Sequence, residues 1–131
     1  MVKKALIVDD MPLDVELTRR VLQSCGGEHE IVVASDGEEA LRELNQAHDF
    51  DVVLLDLKLP KVDGFEVLKE ISSKPFLSDI PVIVLSDTRD ETDRMRTRML
   101  GACEFVEKAM DYAEFNANLR RTLAQYGFCP A

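Results

Sequence analysis

The residues of this chain best equipped for chemistry stand at the ends of apolar runs. Ala5–Val8 is followed by two adjacent acids, Asp9 and Asp10; the run DVVLLD closes on Asp56, PVIVLS on Ser86 and CEFVEK on Lys108. Three carboxylates, a hydroxyl and an ammonium make a phosphoryl-transfer set if the fold gathers these ends. Alone, carboxylates about 5 Å apart repel by roughly 3 kcal/mol per pair at an effective dielectric near 20, so a cation must sit among them. All-oxygen donors with room for water suit Mg2+, which takes one or two protein carboxylates and completes its octahedron with water and phosphate oxygens. An aspartate in such a site can attack phosphorus and become an acyl phosphate, while metal and ammonium neutralise the equatorial oxygens. The same acids argue against a nucleotide fold. The turn DDMPLD, residues 9–14, contains no glycine, so neither G-x-G-x-x-G nor a P-loop can form there.

The elements that must position these groups follow from hydrophobic period. Strand patterns run over Lys4–Asp9, Glu30–Ala34, Asp51–Asp56, Pro81–Ser86 and Cys103–Lys108. Between them apolar residues recur at three and four, as helices require. These are Leu13, Leu17 and Val21; Ala40, Leu41 and Leu44; Phe65, Leu68 and Ile71; Met95 and Met99; and finally Tyr112, Phe115, Leu119, Leu123 and Tyr126. Ser35-x-x-Glu38 and Asp111-x-x-Glu114 read as capping boxes, and Pro12 suits a first helical position. Gly26-Gly27 stops the first helix and Pro75 the third, at about Lys74. Five strand–helix units in strict alternation predict an α/β fold. Its strands run parallel, and right-handed crossovers place helices on both faces of a doubly wound sheet. Ligands of such sheets bind beyond the carboxyl ends of the strands, where the acids, the serine and the lysine stand.

Composition narrows the class. A chain of 131 residues, 46% hydrophobic and 31% charged, fits one globular domain. Its longest apolar stretches, about five residues, fall far short of a membrane span of roughly 20, and no secretory signal stands at the N-terminus. With 25 acids against 16 bases the net charge is −9, which repels phosphate backbones and argues against direct nucleic-acid binding. Three cysteines without C-x-x-C spacing point to a reducing cytoplasm, with Cys103 packed in the core and Cys129 an exposed thiol in the tail. His29 and His48 are expected at the surface. Arg89, Arg94, Arg96 and Arg98 are preceded by Asp90, Glu91 and Asp93, the pattern of a solvated, salt-bridged helix.

Taken together, the acid pair in LIVDDMP, the stretch LLDLKLPKVDGFEVL around Asp56, the hydroxyl ending VIVLS and the lysine in FVEKA resemble the receiver domain of two-component response regulators over nearly the whole chain. The resemblance implies a flavodoxin-like sheet of strand order 2-1-3-4-5 and a single receiver domain, 1–131, with no output module. It implies that Asp56 is the phosphoacceptor, and that Asp10, Asp56 and the backbone carbonyl of Lys58 hold Mg2+ while Asp9 acts mainly through water. Lys108 would contact the phosphoryl group, Ser86 would hydrogen-bond it after transfer, and Phe105 would be the aromatic switch. Lys58 and Thr88 would flank the path of a hydrolytic water. Pro60 and Gly64 match the family's D-x-x-x-P-x-x-x-G pattern. The implied phosphodonor is a histidine kinase or phosphotransfer protein, and the implied output surface is helix four, strand five and helix five. The chain would catalyse only its own phosphorylation and dephosphorylation. Nothing in the sequence sets an oligomeric state.

The chain also departs from the family pattern. Ala109 follows Lys108 where proline is usual, Asp87 stands after Ser86 where a small residue is usual, and Phe105 replaces the commoner tyrosine. The long loop Lys74–Ile80 is similar to that of some stand-alone receivers served by phytochrome-like or hybrid kinases. Two rival readings remain at this level. A Mg2+-dependent phosphohydrolase would use the same aspartyl phosphate, but such enzymes have a D-x-D motif and here Lys58 takes the second acidic place. A scaffold that has lost phosphotransfer is the other.

Overall fold

The structure, a computed structural model, describes residues 2–47, 49–108 and 111–129. Five strands and five helices alternate: β1 Lys3–Val8, α1 Pro12–Gln23, β2 His29–Ala34, α2 Gly37–Gln46, β3 Val52–Asp56, α3 Gly64–Ser73, β4 Val82–Ser86, α4 Glu91–Met99, β5 Glu104–Glu107 and α5 Tyr112–Gln125. All pairings are parallel and the order is β2-β1-β3-β4-β5. That is the doubly wound sheet expected from the alternation. Every residue of β3 and β4 is buried, because central strands covered on both faces have no polar side to show.

The two-residue period of the strands sorts the sheet into two cores and, with them, the candidate site side chains. Ala5, Ile7, Val52, Leu54 and Val106 pack on one face with Val21 and Leu22 of α1 and with Phe115, Leu119 and Leu123 of α5. Leu6, Val8, Val53, Leu55 and Val84 pack on the other with Ala40 and Leu44 of α2 and with Val67, Leu68 and Ile71 of α3. Extending the first set by two residues at each strand end gives Asp9, Asp56 and Lys108. Extending the second gives Asp10 and Ser86. Phe105 also joins the second core, opposite Val84 in the β4–β5 register.

Several local expectations need correction. In α1 the buried residues are Thr18, Val21 and Leu22, while Leu13 is 68% exposed at the helix entrance. In α4 the buried residue is Thr97, and Met95 and Met99 are 55% and 84% exposed. Its hydroxyl donates to the Arg94 carbonyl at 2.7 Å, so a polar residue is buried without an unmet hydrogen bond. The α4 arginines are not paired along their own helix. Arg94 lies over the Phe105 ring and Arg96 over the Phe65 ring, 4.7 and 4.0 Å from the centroids, and Arg89 pairs with Glu107 at 2.9 Å. Planar guanidinium groups lie flat on aromatic faces, which couples α4 to β5 and α3.

The cap of α2 is shifted by one residue from Ser35-x-x-Glu38: Asp36 accepts from the Glu39 N–H at 2.7 Å, and the Glu39 carboxylate accepts from the Ser35 hydroxyl. Asp111 caps α5 as expected, though through the Ala113 N–H. The long loop after α3 buries Leu77 and Ile80 in the second core. Cys103 is exposed rather than packed. Cys129 is buried and forms a disulfide with Cys25, 104 residues away in sequence. His29 is half-buried, its ring stacked on Phe128. His48 and Ala109 lie outside the described residues.

Candidate functional site

The rim beyond the strand ends gathers Asp9, Asp10 and Asp56, with one carboxylate oxygen from each lying within 4.8 Å of the others. Asp9 and Asp56 are buried and Asp10 is exposed, as the alternation of their positions requires. Asp9 is already engaged on both oxygens: Oδ1 accepts from the Met11 N–H at 3.0 Å and Oδ2 from Lys108 Nζ at 3.0 Å. Asp56 Oδ2 lies 3.4 Å from the same ammonium, and its Oδ1 accepts from the Lys58 N–H at 3.3 Å. Lys108 thus bridges β1 and β3 from the end of β5.

A third acid completes the ammonium's shell. Asp14 Oδ2 accepts from Lys108 Nζ at 2.9 Å, a contact that reading along the chain did not find. The available signal was its place in the first turn of α1, the helix that Pro12 starts over the α1/α5 face. Two acids alone would leave one N–H of the ammonium free; with Asp14 all three carboxylates that reach it share one charge.

Burial pushes the Asp56 carboxyl up to about 6; Lys108 pulls against that rise and Asp9 adds to it. Burial pulls the Lys108 ammonium down, but the Asp9 and Asp56 charges and the hydrogen bond to Asp14 outweigh it, so its proton is held above the ordinary lysine value. Asp56 is therefore a carboxylate whose ionised form is costly until a further positive charge arrives.

That cost yields a prediction. Asp56→Asn removes a buried charge while Lys108 keeps Asp9 and Asp14. Without divalent cation at neutral pH the variant is expected to melt higher than the parent, by about 2–6 °C for 1 kcal/mol or more relieved. A group with a raised folded pKa costs stability only once ionised. The parent therefore loses ground as pH rises from the ordinary carboxylate value of about 4 through the raised one, and the gap should close in acid. Melting curves in a chelator across that range check it; a gap that does not change with pH contradicts it.

The donor set fits a hard divalent cation. Its atoms are all oxygens, and one from each carboxylate lies within 4.8 Å of the others, near enough to share one such ion after small side-chain movements. Asp9 is held at 3.0 Å on both oxygens, whereas the contacts of Asp56 are longer, 3.3 and 3.4 Å, so Asp56 and the exposed Asp10 are the carboxylates more readily moved onto such an ion.

The rest of the rim sits above. Ser86 is buried and its Oγ accepts from the Thr88 N–H at 3.2 Å. The Thr88 hydroxyl donates to Asp93 Oδ2 at 3.0 Å and accepts from the Asp90 N–H at 3.2 Å, tying the loop after β4 to the first turn of α4. Asp87 is exposed, and rather than standing unopposed over the site it pairs with Lys58 Nζ at 3.4 Å. Gly64 N–H donates to the Leu57 carbonyl at 2.9 Å, drawing the start of α3 against the strand end that carries Asp56.

The family description "Response regulator receiver domain" matches residues 5–120. The probable transcriptional regulator ycf27 of Guillardia theta is 39% identical over 121 residues, 92% of this chain and 45% of its own length. Response regulator Rcp1 of Synechocystis is 39% identical over 97 residues, 70% of this chain and 66% of its own. The chain spans about half the length of several curated relatives that it matches. Among solved structures, the phosphorylated cyanobacterial phytochrome response regulator RcpA is similar with a TM-score of 0.91 at 33% identity, over all of both chains. The Mn2+-bound form of Rcp1 is similar with a TM-score of 0.85 at 30% identity, over 98% of this chain and 99% of that one. No helix among the described residues is long and apolar enough to cross a membrane. A family match across most of the chain, on a sheet of matching architecture with the acids and the lysine at its strand ends, places this chain in the receiver domain family of response regulators.

Proposed function

We propose that this receiver domain accepts a phosphoryl group on Asp56 and thereby switches its binding to a partner protein in a cytoplasmic phosphorelay. The observation that carries the reading is the Lys108 ammonium, 3.4 Å from Asp56, facing the three-acid cluster across the buried nucleophile. The donor is a histidine kinase or phosphotransfer protein. The resemblance to RcpA, a phytochrome response regulator solved in phosphorylated form, supports a phytochrome-like kinase in that role.

Asp10, Asp56 and the Lys58 carbonyl would hold Mg2+, with Asp9 acting through water; a relative is known in a Mn2+-bound form, and abundance and hard oxygen donors favour Mg2+. The ion would supply neutralising charge to the transferring phosphoryl oxygens. An Asp56 oxygen attacks phosphorus, the bond to the donor nitrogen breaks, and its electron pair leaves with the donor imidazole. Lys108 stabilises the charge that develops on the equatorial oxygens. The Ser86 hydroxyl, which accepts one hydrogen bond and has its own proton to give, donates it to the new group. That movement pulls on Thr88 and, through Asp90 and Asp93, on α4. Phe105 then shifts inward behind Ser86 and alters the α4–β5–α5 face, where the net charge of −9 favours a protein over nucleic acid as partner.

Incubation with a small phosphodonor tests the reading: intact mass should rise by one phosphoryl group with Mg2+ present and stay unchanged with a chelator. A catalytic turnover of phosphate monoesters without a phosphorylated chain would overturn it.

Two further results are expected. Lys58→Ala should shorten the phosphorylated lifetime about 2–5-fold, the range of an exposed ion pair worth up to about 1 kcal/mol, because the stem of Lys58 and its link to Asp87 screen the acyl phosphate from water. An unchanged decay rate removes Lys58 from the mechanism. In hydrogen exchange, phosphorylation should alter protection between Asp87 and Val106, and Phe105→Ala should abolish most of that change while leaving phosphorylation intact. Changes confined to the loops of Asp9 and Asp56 would show that the distal face takes no part.

A further inference from the structure

We propose that the Cys25–Cys129 disulfide is a reversible redox clamp that holds the segment after α5 across the end of α1. It lies away from the acidic rim and does not rest on the phosphoryl-transfer reading. Cys25 follows the last turn of α1 and Cys129 follows α5, with Cα atoms 4.8 Å apart, inside the range a disulfide spans without backbone movement. Gly127, at φ +78°, reverses the chain after α5, a conformation that glycine adopts without a Cβ penalty. The Phe128 and Cys129 N–H groups both donate to the Leu123 carbonyl, at 2.9 and 3.4 Å. Phe128 then stacks on His29, ring centroids 4.9 Å apart, covering the start of the edge strand β2.

Apart from the sulfur bridge, the described residues of this segment are held by Phe128, which is buried in the first core, by N–H groups of Tyr126, Phe128 and Cys129 on the Leu123 carbonyl and of Gly127 on the Ala124 carbonyl, and by the Tyr126 hydroxyl, which donates to the Cys103 carbonyl. So short a unit can open without global unfolding, and a covalent bond closing a loop of 104 residues adds to these contacts in holding it shut. Cys25 and Cys129 are both buried, whereas Cys103 is exposed and unpaired. Thiol chemistry at the pair therefore waits on opening of the segment.

The exchange balances with a small disulfide as oxidant. One cysteine thiolate attacks a low-molecular-weight disulfide, releasing one small thiol and forming a mixed disulfide. The second cysteine displaces the other small thiol. Two protons leave the cysteines and two electrons pass to the reagent, and a dithiol reverses the sequence.

The test uses the full chain carrying Cys103→Ser, equilibrated without denaturant at a series of ratios of a small dithiol to its disulfide, then alkylated in denaturant and weighed. The clamp predicts two interconverting species, one unalkylated and one doubly alkylated. The oxidised form should melt higher by on the order of 10 °C, and a protease specific for aromatic residues should cut after Tyr126 or Phe128 at least tenfold more slowly in it. In a second variant, Cys25→Ala added to Cys103→Ser, melting and cleavage should ignore the dithiol ratio. The clamp is overturned by double alkylation at every ratio, by a bridge that native-state dithiol never opens, by equal melting and cleavage of the two forms, or by a continued response in the second variant.

Discussion

Lys108→Ala should slow phosphoryl acceptance by about 10²-fold or more, the usual loss when one preorganised donor to developing charge is removed, and should weaken the cation-free fold. The wild-type ammonium is the shared partner of Asp9, Asp14 and Asp56. Removing it leaves Asp9, almost wholly buried, with the Met11 amide as its one remaining partner among the described residues. Loss of one partner from a buried pair costs about 3–5 kcal/mol; the low end applies here because Asp56, already displaced upward, can take a proton. For a chain of this size that corresponds to a fall of roughly 10 °C in chelator. A divalent cation would then meet three acids without a competing ammonium, so the shift in Tm produced by Mg2+ should be larger in the variant than in the parent. Equal Mg2+ shifts in the two proteins would mean that Lys108 and the cation do not share the same carboxylates.

Gly64→Ala should be nearly as damaging although glycine carries no functional group. A Cβ there would lie 2.5 Å from both the Asp56 carbonyl oxygen and the Leu57 Cα. Both are backbone atoms, so neither can swing aside as a flexible side chain would. Either α3 backs away or the chain at Asp56 moves, and overpacking of this kind costs about 1–3 kcal/mol or more. Phosphoryl acceptance should fall at least tenfold because a displacement of about 1 Å at a nucleophile is enough for such a loss, and Tm should drop by several degrees. Wild-type values for both would show that the approach of α3 to β3 is looser than described.

Strands announced themselves in the sequence because their physics is local. Val52–Leu55 and Val82–Leu85 are unbroken apolar runs, and the polar residue ending each stands at the acidic rim or beside it. Helix faces were harder. In α1 and α4 the inward positions include Thr18 and Thr97, and a buried hydroxyl does not register as apolar in a three–four pattern. Leu13, Met95 and Met99 filled the pattern and turned outward. The arginines of α4 followed acids at pairing distance, yet the faces of Phe65 and Phe105 on neighbouring elements held two of them; only packing between elements could have revealed this. Asp14 and the Cys25–Cys129 pair belong to the same class. Their partners lie 94 and 104 residues away, and no spacing rule reaches across such distances.

Locating the phosphoryl group tests the central claim most directly. Wild-type protein and Asp56→Asn are incubated with the same phosphodonor and Mg2+, weighed intact, and digested to find the modified peptide. The account predicts one phosphoryl group in the wild type, carried by the peptide containing Asp56, and none in the variant. A gain of equal size in Asp56→Asn, or one mapped to any other residue of the wild type, would contradict it.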